Sequence, residues 1–222
     1  MGVAERKARE KAQRRLQIMD AAKRVFSHKG FSGTTMEEIA QESELSAATL
    51  YLYFKNKNEL YASLNLRMLE YLCQRVERVA RGSEDDPFLK VRQLAEAMYD
   101  VYRFDPLILT NVFHMQSSEA LQGLSPEMHR DINALSAQAL RTMAGIFSAG
   151  MDQGVFTRHH PVALADLVWA VFSGLVLWEE SKRIFDPRKD HLKSTLDLAM
   201  DLLARGLCVR PVPEPVTADG GS

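Results

Sequence analysis

Cysteine is scarce in this chain of 222 residues, with only Cys73 and Cys208 present. Two cysteines cannot build a disulfide framework, and these lack the paired spacing of a zinc site, so the composition excludes a stapled scaffold and fits a reducing cytosol. An unbroken apolar run of about 18 residues is also missing. The first residues are charged rather than hydrophobic, which argues against a signal peptide as well as a membrane span. These absences place the chain in the cytoplasm and away from membranes. No Gly-x-Ser-x-Gly elbow, glycine-rich phosphate loop or metal-spaced His/Glu pair occurs, and the adjacent His159-His160 does not suit a metal held from one helix face. No catalytic set can be named, so the expectation is a protein that is not an enzyme and uses no metal or cofactor.

Strict alternation of apolar and polar residues is hard to find, whereas apolar residues recur at three- and four-residue steps, which predicts an all-α fold. A first helix is expected over about residues 8–28, with Ile18, Ala22, Val25 and Phe26 on one stripe and Gly30 as its stop. Thr35 followed by Glu38 has the spacing of a capping box and opens a short helix with Met36, Ile39 and Ala40 inside. After Glu42-Ser43-Glu44-Leu45, Ser46 caps a second short helix reaching about Phe54. Two short helices joined by a tight turn make a helix-turn-helix. A long helix starts near Glu59 and runs towards Val79. Further helices follow from Phe88 past Met98, from Ser125-Pro126-Glu127 to about Met151, from Pro161 to about Trp178, and from about His191 to Leu207. The tail over 211–222 has too few apolar residues to repay the entropy of ordering and reads as disordered.

Charge is distributed unevenly. Residues 1–60 carry 11 Lys+Arg against 8 Asp+Glu, and the remainder carries 17 against 21. Within residues 1–30 the excess is 9 basic over 3 acidic, the footprint expected where a chain meets phosphates.

The run Gly30-Phe31, Thr34-Thr35-Met36-Glu37-Glu38-Ile39-Ala40 and Leu45-Ser46-Ala47-Ala48-Thr49-Leu50-Tyr51-Leu52-Tyr53-Phe54-Lys55-Asn56-Lys57-Asn58-Glu59-Leu60 closely resembles the DNA-binding signature of TetR-family regulators. The resemblance implies an N-terminal three-helix DNA-binding domain over 1–60 and a larger helical regulatory, ligand-binding and dimerisation domain over 61–210. It also implies that Ser46, Ala47, Ala48 and Tyr51 lie at the DNA-reading end of the second short helix, with Thr35, Thr49, Tyr53 and Lys57 on phosphates. Two departures stand out. Glu44 occupies a turn position where the family often has glycine, and Ala47-Ala48 replaces a frequent Lys/Arg-Gly pair. Alanine methyls can pack on a thymine methyl but cannot make arginine's bidentate contact to guanine. Operator choice is therefore expected to lean on Tyr51, on DNA shape and on Arg6, Lys7, Arg9 and Lys11 before the first helix.

Beyond residue 60 no comparable motif occurs. Met98, Tyr102, Phe113, His114, Phe147, Trp169 and Phe172 are candidates to line a ligand pocket, because aromatic and Met side chains at helical spacing resemble a core with room for an apolar guest. Leu164, Val168, Val171, Leu175, Leu196, Met200 and Leu203 are candidates for a homodimer interface formed by the last two helices. The functional expectation is a repressor released from a palindromic double-stranded operator by an apolar or amphipathic effector. The alternative is a dimeric regulator controlled without ligand, by protein level or a protein partner.

Overall fold

The computed structural model describes residues 2–106, 124–186, 188 and 190–209. Phe113, His114 and the tail 211–222 lie outside the described residues. Among those described there are eight helices: α1 Val3–Lys29, α2 Met36–Glu42, α3 Ala47–Tyr51, α4 Lys57–Arg81, α5 Pro87–Phe104, α6 Pro126–Asp152, α7 Pro161–Phe185 and α8 Leu192–Leu207. One isolated antiparallel bridge, Phe156 to Cys208, is the only extended pairing among them. The described residues within Met1–Tyr71 and Phe104–Ser136 form one compact unit, and those within Leu72–Arg103 and Ala137–Ser222 a second.

In the first unit, α1 starts several residues earlier than its apolar stripe suggests. Ala4, Ala8 and the long charged residues between them are good helix formers without any core to pack on, and the Glu5 carboxylate accepts the Gly2 N–H at 3.0 Å. The helix stops at Gly30, whose φ of 70° returns its N–H to the Phe26 carbonyl. The capping box of α2 forms in both directions: Thr35 Oγ1 accepts the Glu38 N–H and the Glu38 carboxylate accepts the Thr35 N–H. The turn into α3 puts Glu44 at φ 56°, the left-handed region that explains why glycine suits this position. Asn56 caps α4 by accepting the Glu59 N–H at 2.8 Å, which moves its start to Lys57.

Ile18, Phe26, Ile39, Leu50, Phe54, Leu60, Tyr61 and Leu64 form the core of this unit. Tyr61 sits edge-on to Phe26 and Phe31, with ring centroids 5.3 and 5.0 Å apart. The end of α5 also belongs to the unit. Phe104 stacks on Tyr71 at 4.4 Å. Lys23 bridges to the buried Asp105 carboxylate at 3.0 Å and donates to the Phe104 carbonyl at 3.1 Å. Asp105 is buried while Lys23 is about one-third exposed, so the pair is partly screened by solvent, and together with the carbonyl bond it ties α1 to this end of α5.

In the second unit, Met98, Met143, Phe147, Phe172, Leu196 and Met200 form the core. His160 caps α7, accepting the Ala163 N–H; the start of α6, where Ser125 accepts the Met128 N–H, belongs to the first unit. Ion pairs fasten α5 to α8 through Arg92–Asp201 at 3.2 Å and Glu96–Lys193 at 3.0 Å. The segment after α6 closes against the chain end, with Thr157 N–H on the Leu207 carbonyl and Val209 N–H on that of Val155.

α7 departs from its expectation. It continues past Trp178 to Phe185, and by length and composition it is long and apolar enough to cross a membrane, with mean hydropathy 1.8 in its best window. Counting unbroken apolar residues hid this, because Asp166 and Ser173 interrupt the run without lowering its average much.

A Cβ on Gly150 would overlap the Phe156 ring, whereas one on Gly145 in the same helix meets nothing within 4 Å. Gly150→Ala is therefore expected to destabilise by about 1–3 kcal/mol through overpacking, and Gly145→Ala to stabilise by about 0.5–1 kcal/mol through helix propensity. Thermal or urea unfolding of the two variants checks both signs.

Candidate nucleic-acid interface

α3 has five residues, Ala47–Tyr51, too few to be helical alone, so its position is set by its neighbours. Below it, Leu50 and Phe54 are fully buried. At its start the Ser46 hydroxyl accepts the Thr49 N–H at 3.2 Å and pairs with the Thr49 hydroxyl at 2.8 Å. Just past its end, the Arg15 guanidinium of α1 lies 4.3 Å over the Phe54 ring, donates to the Tyr53 carbonyl at 3.4 Å and reaches Ser63 Oγ of α4 at 2.8 Å. The helix ends earlier than expected, with Leu52 and Tyr53 in the following turn.

This fixation determines what faces outward. Ser46, Ala48, Tyr51 and Leu52 are exposed, while Ala47, Thr49 and Tyr53 are half-buried. Tyr51 is 47% and Leu52 78% exposed, so the outer surface combines a phenol, a methyl and an isobutyl group. The reading of the sequence missed Leu52 and Arg15. Leu52 was legible in principle: Leu50 and Phe54 already take the inward positions at four-residue spacing, which leaves Leu52 between them pointing out.

Two residues expected on phosphates, Lys57 and Thr35, also serve the fold. Lys57 turns its ammonium inward, donating to the carbonyls of Phe31 and Thr34 at 2.7 Å each and lying 4.6 Å over the Phe31 ring. Burial lowers its pKa from the usual lysine value, opposed by the charge of Glu38. These contacts hold the turn between α1 and α2. Thr35 is committed to the α2 cap, and Glu38 stands beside it. The Lys29 hydrogen bond, followed by that from the Thr35 N–H, keeps the Glu38 carboxyl below its usual range.

The candidate pocket residues lie in the second unit where described. Met98, Tyr102, Phe147 and Phe172 are buried and Trp169 is half-buried, its ring 5.7 Å from that of Phe172. The Tyr102 hydroxyl donates to Glu180 at 2.7 Å and accepts from Arg183, and burial, then the Glu180 hydrogen bond, raises its pKa. The interface candidates divide. Leu164, Val168, Leu196 and Met200 are core of the chain itself, and Val171, Leu175 and Leu203 are half-buried. The large apolar residues left exposed are instead Val162, Leu167, Leu177, Trp178, Ile184 and Phe185 on α7 and Leu198 and Leu202 on α8. Among the described residues, no three His, Cys, Asp or Glu side chains group as metal ligands.

Residues 18–64 match the family model for bacterial regulatory proteins of the tetR family. The chain is 29% identical to the HTH-type transcriptional repressor NicS of Pseudomonas putida over 68% of its own length and 69% of that protein. Its fold is similar to that of the TetR-family transcriptional regulator PfmR of Thermus thermophilus, with TM-score 0.70 at 23% identity over 85% of this chain and 97% of the other. It is also similar to FadR of Bacillus subtilis, crystallised with stearoyl-CoA, with TM-score 0.66 at 21% identity over 86% and 98%.

The two roles in this surface separate by mutation. Lys57→Met removes a donor from the Phe31 and Thr34 carbonyls and is expected to lower stability by about 1–3 kcal/mol and to weaken binding to every duplex alike. Tyr51→Ala, on the exposed face, is expected to change stability by no more than about 0.5 kcal/mol while altering which duplexes are preferred. Urea unfolding and competition binding on a mixed duplex pool measure the pair.

Proposed function

We propose that this chain, which belongs to the tetR family of bacterial regulatory proteins, is a cytoplasmic dimeric repressor that leaves a palindromic operator when a mostly apolar small molecule enters its C-terminal helices. The observation that carries the reading is the presentation of α3: capped by Ser46, clamped by Arg15, seated on Leu50 and Phe54, with Tyr51 and Leu52 outward. A short helix held in this way fits the major groove, and its methyl-rich face suits thymine methyls better than guanine edges.

The effector reading is supported by chemistry in the second unit. Met98, Phe147 and Phe172 are apolar and buried, and the Tyr102–Glu180–Arg183 cluster gives this apolar centre a polar neighbour. That combination suits an amphipathic guest, an acyl thioester or an aromatic acid being examples. α4 is the proposed transmitter. Leu60, Tyr61 and Leu64 at its start belong to the reading head, and its later turns carry Val76 and the Arg75–Asp100 pair. Half-sites in this mode of binding lie about 34–36 Å apart, so a tilt of α4 that respaces two heads by a few ångströms releases one of them.

Dimerisation is assigned to the exposed stripes of α7 and α8. Leu167, Gly174 and Trp178 follow one face of α7, and Leu198 and Leu202 one face of α8. Exposed apolar side chains grouped on two adjacent helices mark an interaction surface. A second copy covers it by pairing the two helices with their mates as a four-helix interface. Leu167→Glu with Leu202→Glu is expected to keep the fold, since both residues are exposed, while light scattering finds a monomer and operator binding is lost; a dimer surviving both charges contradicts the assignment.

For the effector, a compound at about 100 times its Kd adds about 2.7 kcal/mol of stability, which a thermal-shift screen of acyl thioesters and aromatic acids detects. Linkage requires such a compound to weaken operator binding by the factor by which the operator weakens its own. A confirmed binder that leaves operator affinity unchanged contradicts release by ligand, and a screen without any binder favours the ligand-independent regulator.

A further inference from the structure

The segment that matches the family begins at residue 18, yet α1 begins at Val3, so about four helical turns precede it. In the later part of α1, Ile18, Ala22 and Val25 face the core. Counting towards the N-terminus from Ile18 at the four- and three-residue spacing that keeps one helix face reaches Arg14, Lys11 and Lys7, all exposed. The stripe that is core in one half of the helix is thus a row of cations in the other. The acids of this segment are off the row: Glu5 holds the Gly2 N–H and Glu10 pairs with Arg6 at 3.2 Å. Arg9 lies on the opposite face.

Arg15 fixes where the row begins. Its guanidinium touches the Tyr53 carbonyl and the Phe54 ring, so the row starts at the level along α1 of the turn that follows α3, about 100° round the helix from Arg15, and extends about 10 Å from Arg14 to Lys7. One DNA strand advances about 3.4 Å per phosphate along the duplex axis, so a row of this length matches about three phosphates.

We infer that Lys7, Lys11 and Arg14 form a rail for the backbone phosphates of duplex DNA flanking the stretch that α3 reads. The inference rests on the DNA-binding reading above and extends its surface to a part of the chain outside the family match. It also revises the expectation that Arg6, Lys7, Arg9 and Lys11 take part in operator choice. Side chains fixed in one row on a rigid helix meet phosphates, which carry charge without base identity; Arg6 and Arg9 are not in that row.

The probes are a duplex enriched from a random pool by the unmodified full chain and a shuffled duplex of equal length. Combining Lys7→Gln, Lys11→Gln and Arg14→Gln is expected to weaken binding to both by similar factors. The slope of log K against log salt should fall by about 0.9 for each cation removed from each bound protomer. The thermal midpoint should not move, because all three residues are exposed, and Arg9→Gln should leave the slope unchanged. An unchanged slope in the triple variant, with Tyr51→Ala still altering base preference, overturns the rail and leaves the DNA-binding reading intact. A slope loss in Arg9→Gln equal to that per cation in the triple variant also overturns it, because net charge rather than the row is then responsible. If the unmodified chain enriches no duplex, the rail and the DNA-binding reading fail together.

Discussion

A helix of five residues has no stability of its own, and the function proposed for this chain depends on how one such helix is held. Nucleating a helical turn is unfavourable, and one short turn returns too few hydrogen bonds to compensate. α3 therefore exists because Leu50 and Phe54 are buried below it, Ser46 caps its start and Arg15 closes over its end. Each support comes from a different place: α3's own sequence, the turn after it, the cap before it and α1. Arg15 also reaches Ser63 on α4, so one guanidinium joins three elements. The orientation of Tyr51 and Leu52 is thus a property of the whole first unit rather than of the local sequence.

The polar side chains of that unit are largely committed to the same purpose. Lys57 binds the carbonyls of the α1–α2 turn, Glu38 completes the α2 cap with Lys29 beside it, and Lys23 holds Asp105 and the Phe104 carbonyl. Charge near the interface is therefore not equivalent to charge available to DNA. The second unit sorts its residues in a comparable way. One side of α8 carries Lys193 and Asp201, which fasten it to α5, and another carries Leu198 and Leu202 without cover.

Much of this was legible in the sequence wherever a residue acts on its immediate neighbours. Thr35 with Glu38, Ser46, Gly30 and Ser125-Pro126 each mark a helix end through local hydrogen bonds, and all fall at helix ends in the structure. The inward stripe of Leu50 and Phe54 was equally clear. What periodicity could not decide was which side of a helix apolar nearly all round is covered by its own chain. Leu164, Val168, Leu196 and Met200 were assigned to an interface for that reason, and they are core. The structural role of Lys57 was not legible because its partners are carbonyls more than twenty residues away, and backbone carbonyls leave no mark in a sequence. The early start of α1 was missed because turns without apolar residues carry no periodic signal, only helix propensity.

The central claim is that α3 enters the major groove of a duplex in two symmetry-related copies. Methylation interference on a duplex enriched by the full chain tests it most directly, because a methyl group on guanine N7 projects into the major groove and blocks close approach whether or not that atom is hydrogen-bonded. The account predicts two clusters of interfering guanines related by a dyad, with centres one helical turn or a multiple of it apart. Interference confined to minor-groove adenine N3, or a single cluster without a dyad mate, would contradict it.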